Sequence, residues 1–573
     1  MQVAMLLLLP LSLGAEPIHI PLYGCMHDVS SVASWHPGGA AILRHVASLR
    51  LPDATALFES QHALRDAKEM KSKLAPYRHC PVHSEAHNDA PQQFTFADNG
   101  FYRTVRRRVA MSLQVNGDDR NTKGGLRAIA KSCAMCFTAL GFLVASVRAR
   151  RVVIATAYAL VAGATAFTGL GFSLLHDASH HALFYRDSGS NDVASRFGAT
   201  GIYWDHGSWQ AHHVLGHHVF TGDAMLDPDL THGVPYFCKM AHKEAYACDA
   251  SLPATQYGLA LGGLWLGQAT HYYRSRAVGF RRAGVEPGLP ALYRTIGPKP
   301  IRAEYLRQAR RSSLFRQQGI VREPAAWWEC LVALWIPVWL AAMLGTSLAR
   351  SLPPVRARVQ AMAALSPPDC RRTGFGHGDG EDDTELATDE TYLLHGDHRR
   401  TDGGIACYQR HSLCLRWCDA LGRCCACLLG LVLGLGLCYS INVLPNHDAR
   451  RTHDSVANIT CATDWGEVQL RGTANFGGPV WSWLFGGINY QIEHHLFPTI
   501  HHSYYPLIAP IVRAAAEEFN VPYTHFETVW HAMLEVLAQF RAAAQNAGGA
   551  GQASPAYLNL LREGLGLIPL RSS

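Results

Sequence analysis

Four apolar segments most restrict the folds open to this 573-residue chain. The clearest covers residues 152–175, which contain no charged side chain. As a helix at about 1.5 Å per residue it would be roughly 36 Å long, enough to cross the hydrocarbon core of a bilayer. The others cover residues 132–147, 327–348 and 424–446. Charged residues make up only 17% of the chain, so the composition agrees with a membrane protein that also has soluble parts.

The charge balance gives no support for nucleic-acid binding. The formal net charge of +6 is mild for this length, and no basic stripe with interleaved aromatic residues is present. A soluble zinc hydrolase is also disfavoured, because the histidine patterns lack the glutamate of H-E-x-x-H and the chain carries four apolar segments. A membrane-surface role remains the best fit to the charge.

Histidines are concentrated in three boxes. They are His176-Asp-Ala-Ser-His180-His181, His213-Val-Leu-Gly-His217-His218 and Gln491-Ile-Glu-His494-His495. At 31 histidines in 573 residues, a random chain would contain H-x-x-x-H-H less than once, whereas this chain contains it twice. On an α-helix, positions i and i+4 share a face and i+5 lies beside them, so this spacing can aim two or three imidazoles at one point. Neutral imidazole binds iron, zinc, copper and nickel, so the ligand type alone does not choose the metal.

Residues 18–80 carry a second pattern. The sequence His36-Pro-Gly-Gly is followed, 26 residues later, by His62. Two ordinary surface histidines beside a turn are the alternative, but this segment resembles the cytochrome b5 domain. The resemblance implies that His36 and His62 are the two axial ligands of a haem b. Such a haem has no open position and therefore transfers electrons without binding oxygen. The pattern departs from that family at His27, where a tyrosine is usual.

The remaining segments complete the predicted domain order. Residues 1–17 begin with a short apolar segment that is either a targeting segment or a misassigned start; it is too short to span a bilayer. Residues 81–131 read as a polar, basic linker and membrane approach, and residues 132–545 as the membrane domain. Within it, residues 350–423 are rich in Pro, Gly, Asp and Arg and are predicted to be a disordered insert. Residues 546–573 are predicted to be a loose tail.

With the haem-type segment and all three boxes in order, the chain resembles the front-end fatty-acid desaturases, membrane enzymes with a fused N-terminal cytochrome b5. The resemblance covers roughly residues 20–80 and 95–540, apart from the insert, and its most specific mark is the Q-x-x-H-H of the third box. Other matching positions are Trp209, Asn446-His447, Asp464-Trp465 and Gln469. The implied fold is an α+β haem domain followed by an all-α, four-span membrane domain with a cytosolic di-iron site. The basic flanks at 103–131 and 302–322 favour that orientation.

The resemblance also implies the site residues. The expected ligands of the two irons are His176, His180, His213, His217, His218, His447, His494 and His495. Gln491 is expected to bind weakly or to orient a bound water. Asp177 and Glu493 are expected to fix imidazole tautomers by hydrogen bonding. His212 and His501 are not expected to be ligands, and His502 is expected to be a polar neighbour of the site. His181 replaces a residue that is usually small in the family, and either a hydrogen-bonding role or no role is open for it.

The implied reaction inserts a cis double bond between an existing double bond and the carboxyl end of a long polyunsaturated acyl chain carried on CoA or a phospholipid. It consumes O₂ and electrons that NADH–cytochrome b5 reductase delivers through the fused haem. The implied location is the endoplasmic reticulum membrane. Two alternatives stay open: a sphingolipid long-chain-base desaturase or hydroxylase with the same boxes, and a catalytically inactive membrane electron carrier or scaffold.

Overall fold

The computed structural model describes residues 17–48, 53–79, 94–115, 118–223, 227–230, 326–351, 398–456 and 463–547. The chain divides into two compact units. The first comprises residues 1–142, 160–334 and 431–573, and the second comprises residues 143–159 and 335–430. The predictions for the apolar N-terminal segment, for most of the insert and for the tail beyond residue 547 lie outside the described residues.

Residues 18–79 have mixed α and β structure. Three antiparallel strands lie side by side in the order His19–Leu22, Cys25–Asp28, Arg78–His79. The helices are Gly39–Ser48, Thr55–Gln61 and Ala67–Leu74, with the short turn Ala75–Tyr77 after them. Alternation along the first strand buries Ile20 and Leu22, which pack with Leu57 of the second helix.

Glu59 joins this segment to the helix Phe101–Ser112. Its carboxylate accepts a hydrogen bond from Arg103 at 2.6 Å and another from Arg106. All three side chains are buried, and Arg106 also donates to the carbonyl of Ala63 at 2.7 Å. Breaking a buried ion pair leaves an uncompensated charge at a cost of about 3–5 kcal/mol, so this cluster holds the N-terminal segment in one place.

Four helices among the described residues are long and apolar enough to cross a membrane, which confirms the predicted number. They are Arg120–Arg148, Val152–Ser179, Trp327–Arg350 and Cys414–Val456. Large apolar side chains on the outside of these helices, such as Phe137 and Val338, are exposed, as expected for surfaces that face lipid.

Two span boundaries differ from the sequence prediction. The first apolar segment at 132–147 looked short, but its α-helix runs from Gly125 to Arg148, because Arg127 and Lys131 extend it into the interfacial region. The fourth helix begins at His398, so residues 398–423 are helical and the assignment of a disordered insert to them was wrong. Polar residues and the pair Gly403-Gly404 interrupt the apolar pattern there, and glycine lowers helix propensity, so the sequence carried no local signal for this helix.

Within the second unit, two arginines satisfy the carbonyls at the end of the first span. Arg350 donates to the carbonyls of Arg148 at 2.9 Å and Ala149 at 3.0 Å. Arg423 donates to the carbonyl of Arg150 at 3.0 Å. The last carbonyls of a helix have no partner within the helix, so these donors stabilise the turn between the first two spans.

Within the first unit, glycines bring the second and fourth spans into backbone contact. A Cβ atom built on Gly434 would lie 2.0 Å from the carbonyl oxygen of Leu160, and one on Gly163 would lie 2.3 Å from that of Leu431. Small residues at such crossings let membrane helices pack closely. This contact fixes the direction in which both helices present their histidines.

Further helices of the described residues follow the second span and box three. The helices are Ser188–Gly201, Trp465–Gly472, Pro479–Phe485, Gln491–Leu496, Tyr505–Glu518 and Val529–Ala547. Two parallel strand pairs connect distant parts of the chain: Phe94–Thr95 with Thr463–Asp464, and Asn475–Phe476 with His525–Phe526. Asn475 also donates to the carboxylate of Glu493 at 2.7 Å, which anchors the third box to the second pair.

Candidate functional site

Box one begins at the last residue of a π-helical segment, and box two lies on another up to His217. Thr168–His176 is a π-helix that continues the second span, and Gln210–His217 is another. A π-helix closes its hydrogen bonds at i→i+5, so residues four and five positions on straddle one turn. His217 and His218 therefore both lie on the side of His213, with ring centres 5.7 Å and 4.7 Å from that of His213. The sequence predicted ordinary α-helical spacing, which would bring only His217 to that side.

All eight imidazoles predicted to bind iron come together in one buried cluster, the histidine cage. Its members are His176, His180, His213, His217, His218, His447, His494 and His495. None is more than 9% exposed. The residues come from both ends of the chain's membrane domain, so only the folded chain assembles the cage.

The cage contains two groups. The first group is His176, His180, His213 and His494, whose ligand atoms lie within 4.8 Å of one another. The second group is His217, His447 and His495, with the same spacing. His218 lies between them, with its ring centre 4.4 Å from that of His180 and 4.2 Å from that of His495. Two metal positions with nitrogen ligands fit this arrangement.

The chemistry of the donor set fits transition metals. Several buried ring nitrogens have no hydrogen-bond partner, among them Nε2 of His176, His494 and His495 and both nitrogens of His180. Burial, followed by the neighbouring imidazoles, holds the pKa of His213, His218 and His494 well below the usual value. Neutral imidazoles with unpartnered nitrogens are the form that binds a metal, and leaving them buried without one would be costly.

Hydrogen bonds on the outside of the cage fix several tautomers. The Nδ1 atom of His217 lies 2.9 Å from the carboxylate of Asp227, and that of His494 lies 3.0 Å from the Tyr505 hydroxyl. The Nδ1 atom of His495 lies 2.9 Å from the side-chain amide oxygen of Gln469. The Nδ1 of His447 lies 3.1 Å from the carbonyl of Gly472. With Nδ1 held by these groups, Nε2 is the atom available to a metal.

Two expected orienting carboxylates have different partners. Asp177 lies 3.5 Å from Nδ1 of His176 but is much closer, at 2.6 Å, to Nδ1 of His502. Among the described residues, Glu493 accepts hydrogen bonds from Tyr523 at 2.8 Å and from Asn475, and not from an imidazole. Sequence reasoning missed the roles of Asp227 and Tyr505, because a pattern within one box carries no signal for partners supplied by other elements.

The other polar residues near the cage are also placed by the structure. Gln491 lies with its Nε2 3.0 Å from Nε2 of His447, at the edge of the second group. His212 pairs with Asp229, and His501 lies 3.5 Å from Asp177. Both lie outside the two ligand groups.

An apolar cavity of about 790 Å³, including its open mouth, reaches the cage. Its apolar wall consists of Phe167, Phe172, Trp204, Tyr439, Val443 and Ile488. Its polar lining includes the cage residues His176, His213, His217 and His447, together with Gln491, Asp205, His212 and Asp229. Trp209 stacks on His213 with ring centres 4.2 Å apart and donates to Ser179 at 3.1 Å, so the indole both walls the cavity and fixes that imidazole.

A second cavity lies between the N-terminal segment and the membrane domain. His36 and His62 face each other across it with ring centres 6.1 Å apart. Metal–imidazole bonds of about 2 Å would separate two such rings by roughly 6 Å, so one iron fits between them. Nδ1 of His62 donates to the carbonyl of Phe58 at 2.7 Å, which leaves Nε2 for the metal. The buried Nε2 of Gln61, in the same wall, has no partner. The residues present therefore fit a haem.

His181 lines this second cavity, together with Lys123, Phe184 and Tyr185. It is the direct neighbour of His180 in the chain, yet the two side chains belong to different sites. This explains the departure seen in the sequence: His181 is associated with the haem-type cavity, not with the cage.

Comparison with known proteins agrees with this geometry. The fatty acid desaturase family model matches residues 408–527. Over 547 residues, covering 92% of this chain and 80% of the relative, the chain is 24% identical to a chloroplastic acyl-lipid (7-3)-desaturase of Chlamydomonas reinhardtii. It is 40% identical to an acyl-lipid (7-3)-desaturase of Rebecca salina over 88 residues, 15% of this chain and 20% of that protein.

A third relative is the sn-1 linoleoyl-lipid 6-desaturase of Synechocystis, 43% identical over 67 residues, 11% of this chain and 19% of that protein. The high-identity matches thus span about a fifth of the length of these relatives, while the Chlamydomonas match spans most of it. Residues 408–527 carry a fatty acid desaturase domain, and the chain is similar over most of its length to a protein named as a desaturase. Four helices long and apolar enough to cross a membrane and a buried histidine cage agree with an oxidoreductase of the desaturase type.

Proposed function

We propose that the chain is a front-end desaturase that acts on a long polyunsaturated acyl chain. The observation that carries the proposal is the apolar cavity that ends directly on both groups of the histidine cage. The names of the relatives, acyl-lipid (7-3)-desaturase and linoleoyl-lipid 6-desaturase, support an unsaturated acyl lipid as the substrate class.

The cage residues would hold two irons, and the cavity would hold the substrate. When bound, two irons supply O₂ activation, which converts –CH₂–CH₂–, O₂, two electrons and two protons into –CH=CH– and two waters. The aromatic wall made by Phe167, Phe172 and Trp204 excludes water and presents acyl carbons to the imidazoles of His176 and His213. Gln491, beside His447, gives this end of the cavity a polar donor that can orient a bound water.

Expression in yeast fed a panel of polyunsaturated fatty acids tests the proposal. We expect a new fatty acid with a cis double bond nearer the carboxyl end, identified by mass spectrometry of the methyl esters. An altered long-chain base or a hydroxylated product would favour the sphingolipid enzyme or hydroxylase instead. If iron-loaded protein supplied with its reductase makes no new lipid, the inactive electron carrier or scaffold is the interpretation that remains.

We further propose that His36 and His62 hold a haem b that receives electrons from NADH–cytochrome b5 reductase. The facing rings and the hydrogen bond from His62 to Phe58 support this assignment. Burial lowers the pKa of His62 to about 4, so the ring is neutral and able to bind iron at physiological pH.

Replacing His62 with alanine is expected to remove the bis-histidine haem spectrum and NADH-dependent desaturation, while the iron of the cage stays bound. The reason is that His62 belongs to neither group of the cage, whereas a haem would keep only His36 of its two histidine ligands. Absorption spectra and iron analysis of the purified protein measure both effects. His79→Ala, an exposed histidine on the strand Arg78–His79, serves as the control. Full activity in His62→Ala would contradict the role given to the haem.

We propose the endoplasmic reticulum as the location, with the cage and the haem on the cytosolic side. The Chlamydomonas relative is named chloroplastic, so a plastid is the competing location. The sequon Asn458-Ile-Thr lies outside the described residues and follows the fourth span in the sequence. It should carry no glycan in this orientation. Sensitivity of the full-length protein to an endoglycosidase would contradict the arrangement, and co-imaging with organelle markers separates the two compartments.

A further inference from the structure

Two consecutive residues face the two candidate redox sites. His180 is fully buried and belongs to the first group of the cage. His181, joined to it by one peptide bond, lines the cavity that also holds His36 and His62. Of the described residues around that cavity, His181 is the one directly bonded to a cage residue.

The backbone holds His181 in this position. Its φ of +55° lies in the left-handed region, which ordinary side chains seldom adopt. The conformation is fixed by hydrogen bonds on both sides: the N–H of His181 donates to Ala178 at 3.0 Å, and the carbonyls of Ala182 and Leu183 accept from Gly124 at 2.9 Å and Gly125 at 2.8 Å. A strained residue that its surroundings hold in place is often found at a functional site.

The imidazole of His181 lies in the wall of the cavity together with Lys123, Phe184 and Tyr185. Its π-system also extends the bonded path from His180 into the cavity wall.

We propose that His181 is the haem-side end of the path by which electrons enter the cage, through its imidazole and the peptide link to His180. This inference rests on the proposed haem at His36 and His62. Each transfer oxidises one ferrous haem to ferric and reduces one ferric iron of the cage. Two transfers supply the two electrons of one desaturation, and NADH, through its flavin reductase, restores the haem. A bonded path couples the sites more strongly than a jump between non-bonded groups.

The test follows the haem directly and needs no acyl substrate. Full-length protein in lipid nanodiscs, with its haem and iron content measured, is kept under argon with the cage irons ferric. A flash-excited ruthenium complex reduces the haem, and the Soret absorbance records its reoxidation by the cage. The variants are His181→Asn and His181→Gly, because both residues tolerate a positive φ and neither has an aromatic ring. His79→Asn applies the same change at an exposed histidine of the N-terminal segment.

We expect haem reoxidation to slow severalfold in both His181 variants, because each removes the imidazole from the path and leaves the peptide link in place. Haem content, iron content and haem midpoint potential should match the wild type, and His79→Asn should reoxidise at the wild-type rate. An unchanged rate in the His181 variants would overturn the path, as would a slowing accounted for by lost haem or a shifted potential. A wild-type protein that binds no haem would instead contradict the assignment of a haem to His36 and His62. The failure of the path and the failure of the haem assignment are therefore distinguishable.

Discussion

Replacing His494 with alanine is expected to abolish desaturation and to reduce the iron bound by the purified protein. His494 supplies one of the four ligand atoms of the first group, and its ring centre lies 4.2 Å from that of His176 and 4.9 Å from that of His180. Loss of a residue that merely supports a metal ligand costs about 10–100-fold in affinity or activity, so removal of a ligand should exceed that range. Iron analysis and product measurement by mass spectrometry record the two effects together.

The matched control for this change is His531→Ala. His531 is an exposed histidine on the helix Val529–Ala547 and belongs to neither group of the cage. It should keep wild-type iron and activity. The elution profile of each protein in detergent shows whether it is folded. A folded His494→Ala protein with full iron and full activity would contradict the assignment of the first group.

The cage was largely predictable, and its outer partners were not. The boxes carry their ligands at short, repeated spacing, so residues such as His213 and His494 could be named from sequence. His447 was accessible only through the resemblance, because a lone histidine at the end of an apolar segment has no local pattern. Asp227 and Tyr505 act on imidazoles that lie 10 and 11 residues away in the chain, and only the fold shows which imidazole each one meets.

The membrane helices show the same division between local and tertiary information. Hydropathy predicted four spans and placed the second almost correctly, since residues 152–175 lie within the helix Val152–Ser179. It could not predict that the second span becomes π-helical at Thr168, because backbone hydrogen bonding in the last turns depends on packing. Nor could it extend the fourth helix back to His398, because polar residues and the pair Gly403-Gly404 give no local signal for a helix there.

The helix crossing beneath the cage leads to the second large expected effect. Gly434→Val should prevent the second and fourth spans from packing and should sharply lower the yield and thermal stability of folded protein. A Cβ at this position would lie 2.0 Å from the carbonyl oxygen of Leu160 and 2.8 Å from its carbonyl carbon. Overpacking against mobile side chains costs about 1–3 kcal/mol, and a helix backbone cannot move aside as a side chain does. The penalty is therefore a large fraction of a typical folding free energy of about 5–15 kcal/mol.

Gly422→Val on the same helix separates this steric effect from the general consequences of adding a branched side chain. Gly422 is exposed, and a Cβ built there meets no atom within 4 Å. Valine also has a higher helix propensity than glycine, so this variant should be at least as stable as the wild type. Because Gly434 lies thirteen positions before His447 on one helix, separating the spans should also displace that imidazole and lower bound iron. Wild-type thermal stability and iron content in Gly434→Val would mean that the two helices do not cross at this glycine.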